Sequence, residues 1–270
     1  MGEKNKVAIG QIGHMMVLFE LVMATVMFLF MRYGSEWLFT KLASSETIIQ
    51  HSLSYIKYRS VGAFFSYLGV VYIALYAGVA RTAVIGYQTF VLIIINLILN
   101  YGFIFGHFGL PSMGIGGAAL ASTFAEAITL IIFTFFIFLD NKKYQYHIFN
   151  LHPINWKIIR QIIQVSVPFV VQSIVGLGSW FLRFSWIENM GEKELAISNL
   201  GRIVYLILSG PIWGYAAGIQ TLVSGYIGKD RLNSVSPIIK KTAVLAFITT
   251  AIIAVPALLL PEYLFYPILG

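Results

Sequence analysis

Apolar residues occur in long, nearly unbroken runs along this chain, and several runs carry polar side chains on one face only. In residues 91–106 (VLIIINLILNYGFIFG), Asn96 and Asn100 lie four residues apart and therefore on one side of a helix. About 20 apolar residues span the roughly 30 Å hydrocarbon core of a bilayer. Polar groups inside such a span are costly unless they face other helices or a water-filled cavity.

The pattern predicts an all-α fold, a polytopic membrane helical bundle with seven transmembrane helices. The predicted spans are residues 12–32, 60–80, 84–106, 115–139, 164–187, 195–226 and 237–260. The sixth span is too long for one straight crossing and contains Gly210-Pro211. We expect a kink or a break there, because proline removes a backbone donor and clashes with the preceding turn.

Composition agrees with a membrane protein and argues against several other classes. The chain is 58% hydrophobic and only 11% charged, whereas about 25% charged residues are usual in soluble domains. Cysteine is absent and there are five histidines, so we expect neither a metal site nor another cofactor. The net charge of +7 does not indicate nucleic acid, because the basic residues occupy short loops between apolar spans. We do not expect an enzyme.

The distribution of basic residues orients the predicted spans. Most loop Lys and Arg residues lie on the side that includes the start of the chain and residues 140–163. The opposite side carries Lys41, Lys57, Arg59 and Lys193. We therefore expect a multi-pass protein of the cell inner (plasma) membrane, with the start of the chain in the cytoplasm.

The longest polar stretch, residues 140–163, predicts a cytoplasmic linker between two helical bundles. Residues 1–139 are expected to supply four spans of an N-terminal bundle, and residues 164–270 three spans of a C-terminal bundle. The segment Ser35–Phe39 (SEWLF) matches Pro261–Phe265 (PEYLF), which indicates a parallel repeat of six helices. Under that repeat, two helices are missing at the front and three at the back of a twelve-helix protein.

Three stretches of the sequence resemble a known family. Residues 96–119 (NLILNYGFIFGHFGLPSMGIGGAA) resemble the fifth-to-sixth helix signature of the multidrug and toxic compound extrusion (MATE) family. Residues 195–202 (LAISNLGR) and 214–228 (GYAAGIQTLVSGYIG) resemble the eighth helix of that family and its cytoplasmic end. The resemblance extends in order from the family's third helix to its ninth.

The resemblance implies a twelve-helix antiporter of two bundles. Such a protein exports small organic, often cationic, drugs through the lipid bilayer by alternating access, in exchange for H⁺ or Na⁺, and is expected to be monomeric when complete. The chain departs from the family at Asn100, where some members carry Asp, and at Gly176, where sodium-coupled members can carry Glu. The coupling ion therefore stays open between H⁺ and Na⁺.

Two alternatives remain open. The first is a truncated, transport-inactive fragment of such a transporter, which the odd number of spans and the start inside the repeat favour. The second is a lipid-linked oligosaccharide flippase of related architecture. Such a cavity usually carries more cationic side chains than Arg183 and Arg202 supply.

Seven residues are candidates for coupling or substrate contact. Glu126 lies near the middle of its span, continues the small-residue stripe of Ala118 and Ser122, and is the first candidate for a proton-carrying carboxyl. Glu20 is a shallower second candidate. The candidates for the cavity wall are Asn96, Asn100, Gln172, Trp180 and Arg202. For each of them, packing between helices is the competing interpretation.

Further stripes accompany these candidates. Gln88 shares the stripe of Asn96 and Asn100, and Arg202 is a candidate to pair with Glu188 or Glu194 at the outer rim. A set of glycines repeats every four residues, which is typical of close helix packing in membranes. These glycines are Gly210, Gly214 and Gly218.

Overall fold

The structure is a computed structural model that describes residues 6–42, 46–144, 147–188 and 190–259. Within these ranges every regular element is helical and no strand occurs. The α-helices are α1 (Lys6–Leu29), α2 (Ser35–Leu42), α3 (Glu46–Gly78), α4 (Thr82–Phe105), α5 (Gly114–Tyr144), α6 (Trp156–Glu188), α7 (Glu192–Ile227) and α8 (Val235–Leu259). A π-helical turn, Phe30–Gly34, joins α1 to α2, and a 3₁₀ turn, Leu232–Ser234, precedes α8.

Seven stretches of the described chain are long and apolar enough to cross a membrane, which confirms the predicted number. The first, Lys6–Lys41, consists of α1, the π-helical turn and most of α2. Each of the helices α3 to α8 supplies one of the others. The chain is therefore a multi-pass membrane protein.

The helix α3 begins well before the predicted start of its span at residue 60. It begins at Glu46, because the polar segment ETIIQHSLSYIKYR continues the helix into the apolar part. The prediction that Arg59 lies in a loop is therefore wrong. Arg59 lies inside α3, and inside the apolar stretch Ile49–Gly78.

The helix α7 is continuous from Glu192 to Ile227, with Pro211 inside it. The predicted alternative of a break at Gly210-Pro211 is therefore wrong. Proline leaves the carbonyl one turn earlier without its usual donor, but membrane helices tolerate this where neighbouring groups compensate. A kink at this position stays a prediction.

Lys4–Ile162 form one compact unit. The helix α3 lies against both α1 and α5, and α5 also packs along α4. Small side chains such as Ala119 and Ala125 fill the contact surface of α5 and are completely buried. Glycine at position 117 brings α5 against α4, since a Cβ there would lie 2.3 Å from the Phe103 carbonyl oxygen.

The second unit is formed mainly by Ile163–Gly270. Here α7 packs along α8, and the hydroxyls of Tyr215 and Thr249 are hydrogen-bonded at 2.9 Å. The boundary between the units falls at the end of the predicted linker, but the assignment of the units to two bundles of a larger protein stays a prediction. The predicted repeat also stays one, because its second copy at 261–265 lies outside the described residues.

Candidate functional site

The polar stripe of α4 faces α5, as its spacing predicts. Asn96 Nδ2 donates to Ser122 Oγ at 3.1 Å, and Asn100 Nδ2 donates to Asn96 Oδ1 at 2.7 Å. The two amides meet because they lie about one helical turn apart on α4. Asn100 Oδ1 is buried and accepts no hydrogen bond in the described part of the chain. The network therefore keeps one open acceptor.

Glu126 lies on the same face of α5, one turn after Ser122, and binds α3. Its two carboxylate oxygens accept hydrogen bonds from Arg59, with Nη1 at 2.6 Å from Oε2 and Nη2 at 2.8 Å from Oε1. Ser66 Oγ donates to Oε2 at 2.6 Å and accepts from Arg59 Nη2 at 2.9 Å. This is the bidentate geometry in which a planar guanidinium binds a carboxylate best.

Apart from Ser66, these groups line one cavity of about 370 Å³, which we call the first cavity. Its lining residues are Tyr55, Arg59, Leu92, Ile93, Asn96, Leu97, Asn100, Ser122 and Glu126. The two charges on its wall are opposite and paired, with 25% and 18% of their side-chain surfaces exposed. The first cavity therefore offers amide and hydroxyl groups, an apolar wall and a neutralised ion pair.

Sequence reasoning found Asn96, Asn100 and Glu126 but missed Arg59. The omission follows from starting the second span at residue 60, which left Arg59 with the loop charges. The spacing of Arg59, Gly62 and Ser66 holds a usable signal, because these residues share one face of a helix. A glycine at 62 also leaves room for the guanidinium, since a Cβ there would lie 2.5 Å from Arg59 Nη1.

Gln88 does not line the first cavity, although it shares the stripe of Asn96 and Asn100. It is 6% exposed, and a Cβ on Gly69 of α3 would lie 3.9 Å from its Nε2. Its Oε1 is buried without a hydrogen-bond partner in the described residues. Gln88 therefore belongs to the contact between α3 and α4.

Glu20, the second carboxyl candidate, is half-buried on α1 and does not line the first cavity. Of the two carboxyl candidates, only Glu126 shares the first cavity with the amides of α4.

A second cavity of about 390 Å³ lies between α6 and α7. Its lining residues are Ser179, Trp180, Arg183, Ser198, Gly201, Arg202 and Tyr205. The rings of Trp180 and Tyr205 are 5.8 Å apart, and the Arg183 guanidinium lies 5.5 Å from the Trp180 ring centre. The second cavity therefore combines two aromatic rings with two guanidinium groups.

The candidates from this unit separate into two groups. Trp180 and Arg202 line the second cavity, whereas Gln172 is exposed on α6 and does not line it. The Arg202 guanidinium lies 5.4 Å from the centre of the Phe184 ring, and no ion pair with Glu194 forms among the described side chains. The side chain of Glu188 lies outside the described residues.

The described residues contain no group of three or more His, Asp or Glu side chains placed to hold a metal ion. Glu126 is the carboxylate that the wall of the first cavity presents. The identity of a coupling ion stays a prediction.

Comparison with known proteins gives a family match over most of the chain. The family model MatE matches residues 1–102 and 158–269. The "Probable multidrug resistance protein NorM" of Thermotoga maritima is 27% identical over 169 residues, which are 62% of this chain and 36% of that protein. The matching part of this chain thus spans about a third of the relative's length.

Solved structures share the fold. "Crystal structure of MATE in the straight conformation" matches with a TM-score of 0.84 and 18% identity, over 98% of this chain and 59% of that one. "Outward-facing conformation of a multidrug resistance MATE family transporter of the MOP superfamily" matches with a TM-score of 0.85 and 19% identity, over 98% and 58%. At this level of identity the likeness shows the fold alone.

Proposed function

We propose that this chain, which belongs to the MatE family, is part of a transporter that exports organic compounds in exchange for inward H⁺ or Na⁺. Its relatives are named as multidrug resistance proteins, and the chain covers only part of their length. The whole transporter's activity, its substrates and its coupling ion are therefore parts of the proposal. The proposed mechanism is alternating access, in which the protein exchanges between two states that open to opposite sides.

One observation carries this proposal: polar side chains from the membrane-spanning helices α3, α4 and α5 converge on the first cavity. Polar and ionisable groups in a membrane span are costly, and they commonly mark the path of a substrate or an ion. Asn96 and Asn100 supply amide hydrogen bonds to a bound compound, while Leu92, Ile93 and Leu97 supply an apolar surface for it.

Glu126 is the residue to which we assign coupling. In the described state Arg59 donates a hydrogen bond to each of its two carboxylate oxygens. An alternating mechanism needs a group whose charge partner differs between the two states. Glu126 meets this requirement if an incoming cation or proton and the exported compound bind to it in different states.

The second cavity is a second substrate-contact surface in the proposal. Trp180 and Tyr205 offer faces on which planar rings stack, and Arg183 and Arg202 favour a compound that also carries an acidic group. Glu20 and Gln172 remain candidates from the sequence, and neither of them lines the first or the second cavity.

The decisive experiment replaces Glu126 by Gln and measures ethidium efflux driven by a pH or Na⁺ gradient. Glu126→Gln keeps the size of the side chain but removes its charge, so we expect gradient-driven efflux to fall to the level of cells without the protein. Glu46→Gln is the matched control, because it makes the same change at the exposed start of α3, outside the first cavity. Unchanged efflux in Glu126→Gln removes this residue from the mechanism.

The experiment is performed both with residues 1–270 and with the longest reading frame that contains them. Efflux from both supports the proposal directly. Efflux from the longer protein alone supports the proposal for the whole transporter and shows that this chain is inactive by itself. Efflux from neither, with both proteins present in the membrane, contradicts the proposal.

A further inference from the structure

The Glu126 carboxylate already has a positively charged partner, which is the guanidinium of Arg59. Arg59 occupies both carboxylate oxygens, and Ser66 donates a third hydrogen bond to Oε2. A dissolved cation that reaches the first cavity therefore meets a carboxylate that is already neutralised. Arg59 belongs to the membrane-spanning helix α3 and Glu126 to the membrane-spanning helix α5. An unpaired charge is strongly disfavoured in such helices.

We propose that Arg59 is a tethered counter-cation of Glu126, which a transported cation must displace before it can bind. This inference rests on the proposed function and states how cation binding at Glu126 is regulated. One positive charge leaves the carboxylate as another arrives, so Glu126 is never left charged and unpaired in the membrane. The ligand that the site then takes is a monovalent cation, which is either the exported organic cation or the coupling H⁺ or Na⁺.

The lining of the first cavity limits which groups take part in this exchange. Its titratable side chains are Tyr55 and Arg59 of α3 and Glu126 of α5, whereas α4 contributes amides and apolar groups. Arg59 is thus the one cation on the described wall that faces the carboxylate. Without Arg59, the negative charge of Glu126 would face the cavity uncompensated.

The displaced guanidinium has room and an acceptor within the same cavity. Gly62 has no side chain to block the movement of Arg59 along α3. Asn100 also lines the cavity, and its Oδ1 accepts no hydrogen bond from the described residues. In the proposed exchange, the Asn100 side chain rotates to bring this oxygen to the guanidinium, which then retains a polar contact after it leaves Glu126.

The test compares the binding of radiolabelled tetraethylammonium to the purified full chain and to its variants by equilibrium dialysis at pH 7.5. Arg59→Gln removes the competitor and keeps Glu126, so we expect affinity to rise at least tenfold. Adding Glu126→Gln to Arg59→Gln should abolish the gain, since the cation then has no carboxylate. An affinity that falls or stays unchanged in Arg59→Gln overturns the inference.

Arg81→Gln is the matched control, because Arg81 forms the other described ion pair, with Asp140 near the end of α5. It makes the same change of charge outside the first cavity, and we expect the affinity to stay as in the unmodified chain. An equal gain in Arg81→Gln would show a general effect of net charge and overturn the inference.

Gly62→Ala provides a test that keeps both charges. The added Cβ would lie 2.5 Å from Arg59 Nη1 and 2.7 Å from Thr123 Oγ1, so the guanidinium must shift. We expect the affinity for tetraethylammonium to rise, by less than in Arg59→Gln. If Arg59→Gln does not fold, an unchanged affinity in Gly62→Ala overturns the inference. Ethidium efflux is measured in parallel. Efflux by the unmodified transporter together with unchanged cation affinity in Arg59→Gln rejects the tethered cation and leaves the proposed function standing.

Discussion

Trp180 is one of the two aromatic side chains that line the second cavity. Its ring lies near Tyr205 of α7 and near the guanidinium of Arg183, which is on the same helix as Trp180. Aromatic stacking contributes about 0.5–1.5 kcal/mol beyond burial, which corresponds to roughly 2- to 13-fold in Kd. We therefore expect Trp180→Leu to weaken binding of a naphthalene carboxylate by about that factor, measured by fluorescence titration of the purified chain.

Trp186→Leu is the control for this prediction, because Trp186 is 69% exposed and does not line the second cavity. Its removal should leave the affinity unchanged. Equal losses in the two variants would mean that tryptophan in this region acts through the membrane interface rather than through the second cavity.

At the level of single residues, the sequence was informative where a polar side chain interrupts a purely apolar run. Asn96, Asn100 and Glu126 were identified this way, since each is costly in lipid unless it faces a partner. Arg59 was missed, because it follows a segment with polar residues and resembles a loop charge. Only the packing of α3 on α5 brings Arg59 to Glu126, and no local pattern encodes that register.

At the level of helices, a close backbone approach in the first unit occurs where α5 begins to pack on α4. A Cβ at position 117 would lie 2.3 Å from the Phe103 carbonyl oxygen and 2.7 Å from its carbon. Both atoms belong to the backbone, so the helices must separate to accept a methyl group. Forced overpacking typically costs about 1–3 kcal/mol, and we expect Gly117→Ala to lower the melting temperature in detergent by several degrees.

Gly214→Ala is the matched control for that measurement. It places the same methyl group on α7, where nothing described lies within 4 Å of the added Cβ. We expect its melting temperature to match or exceed that of the unmodified chain, because alanine favours the helix over glycine by about 1 kcal/mol. A drop in Gly214→Ala as large as in Gly117→Ala would contradict the role assigned to the contact of α4 with α5.

The two glycines also show what a repeat pattern fails to predict. The regular spacing of Gly210, Gly214 and Gly218 predicts a close helix contact. A Cβ added at any of these three positions would nevertheless have no described atom within 4 Å. The close contact instead occurs at Gly117, in a run without that four-residue repeat. A small residue permits close approach, but the partner helix decides whether it happens.

For the molecule as a whole, the sequence predicted the seven spans because their apolar length follows directly from the bilayer thickness. It predicted the ends of the helices less well. Both α3 and α6 begin earlier than the predicted spans, since a helix continues into polar sequence once its apolar part is fixed. Hydrophobicity marks where the chain enters lipid, whereas capping and packing decide where the helix begins.

The orientation of the whole molecule is open to a direct test, because the chain contains no cysteine and each single-cysteine variant carries one thiol. Leu151 and Met190 are suitable positions, since they are 92% and 70% exposed and lie at opposite ends of α6. The basic residues around Leu151 predict that this end is cytoplasmic. A membrane-impermeant maleimide should therefore label Met190→Cys in intact cells, and Leu151→Cys only after permeabilisation. The reverse labelling pattern would place the start of the chain outside the cell, because four spans, an even number, lie between the start of the chain and Leu151. Every later span would then also have the opposite orientation.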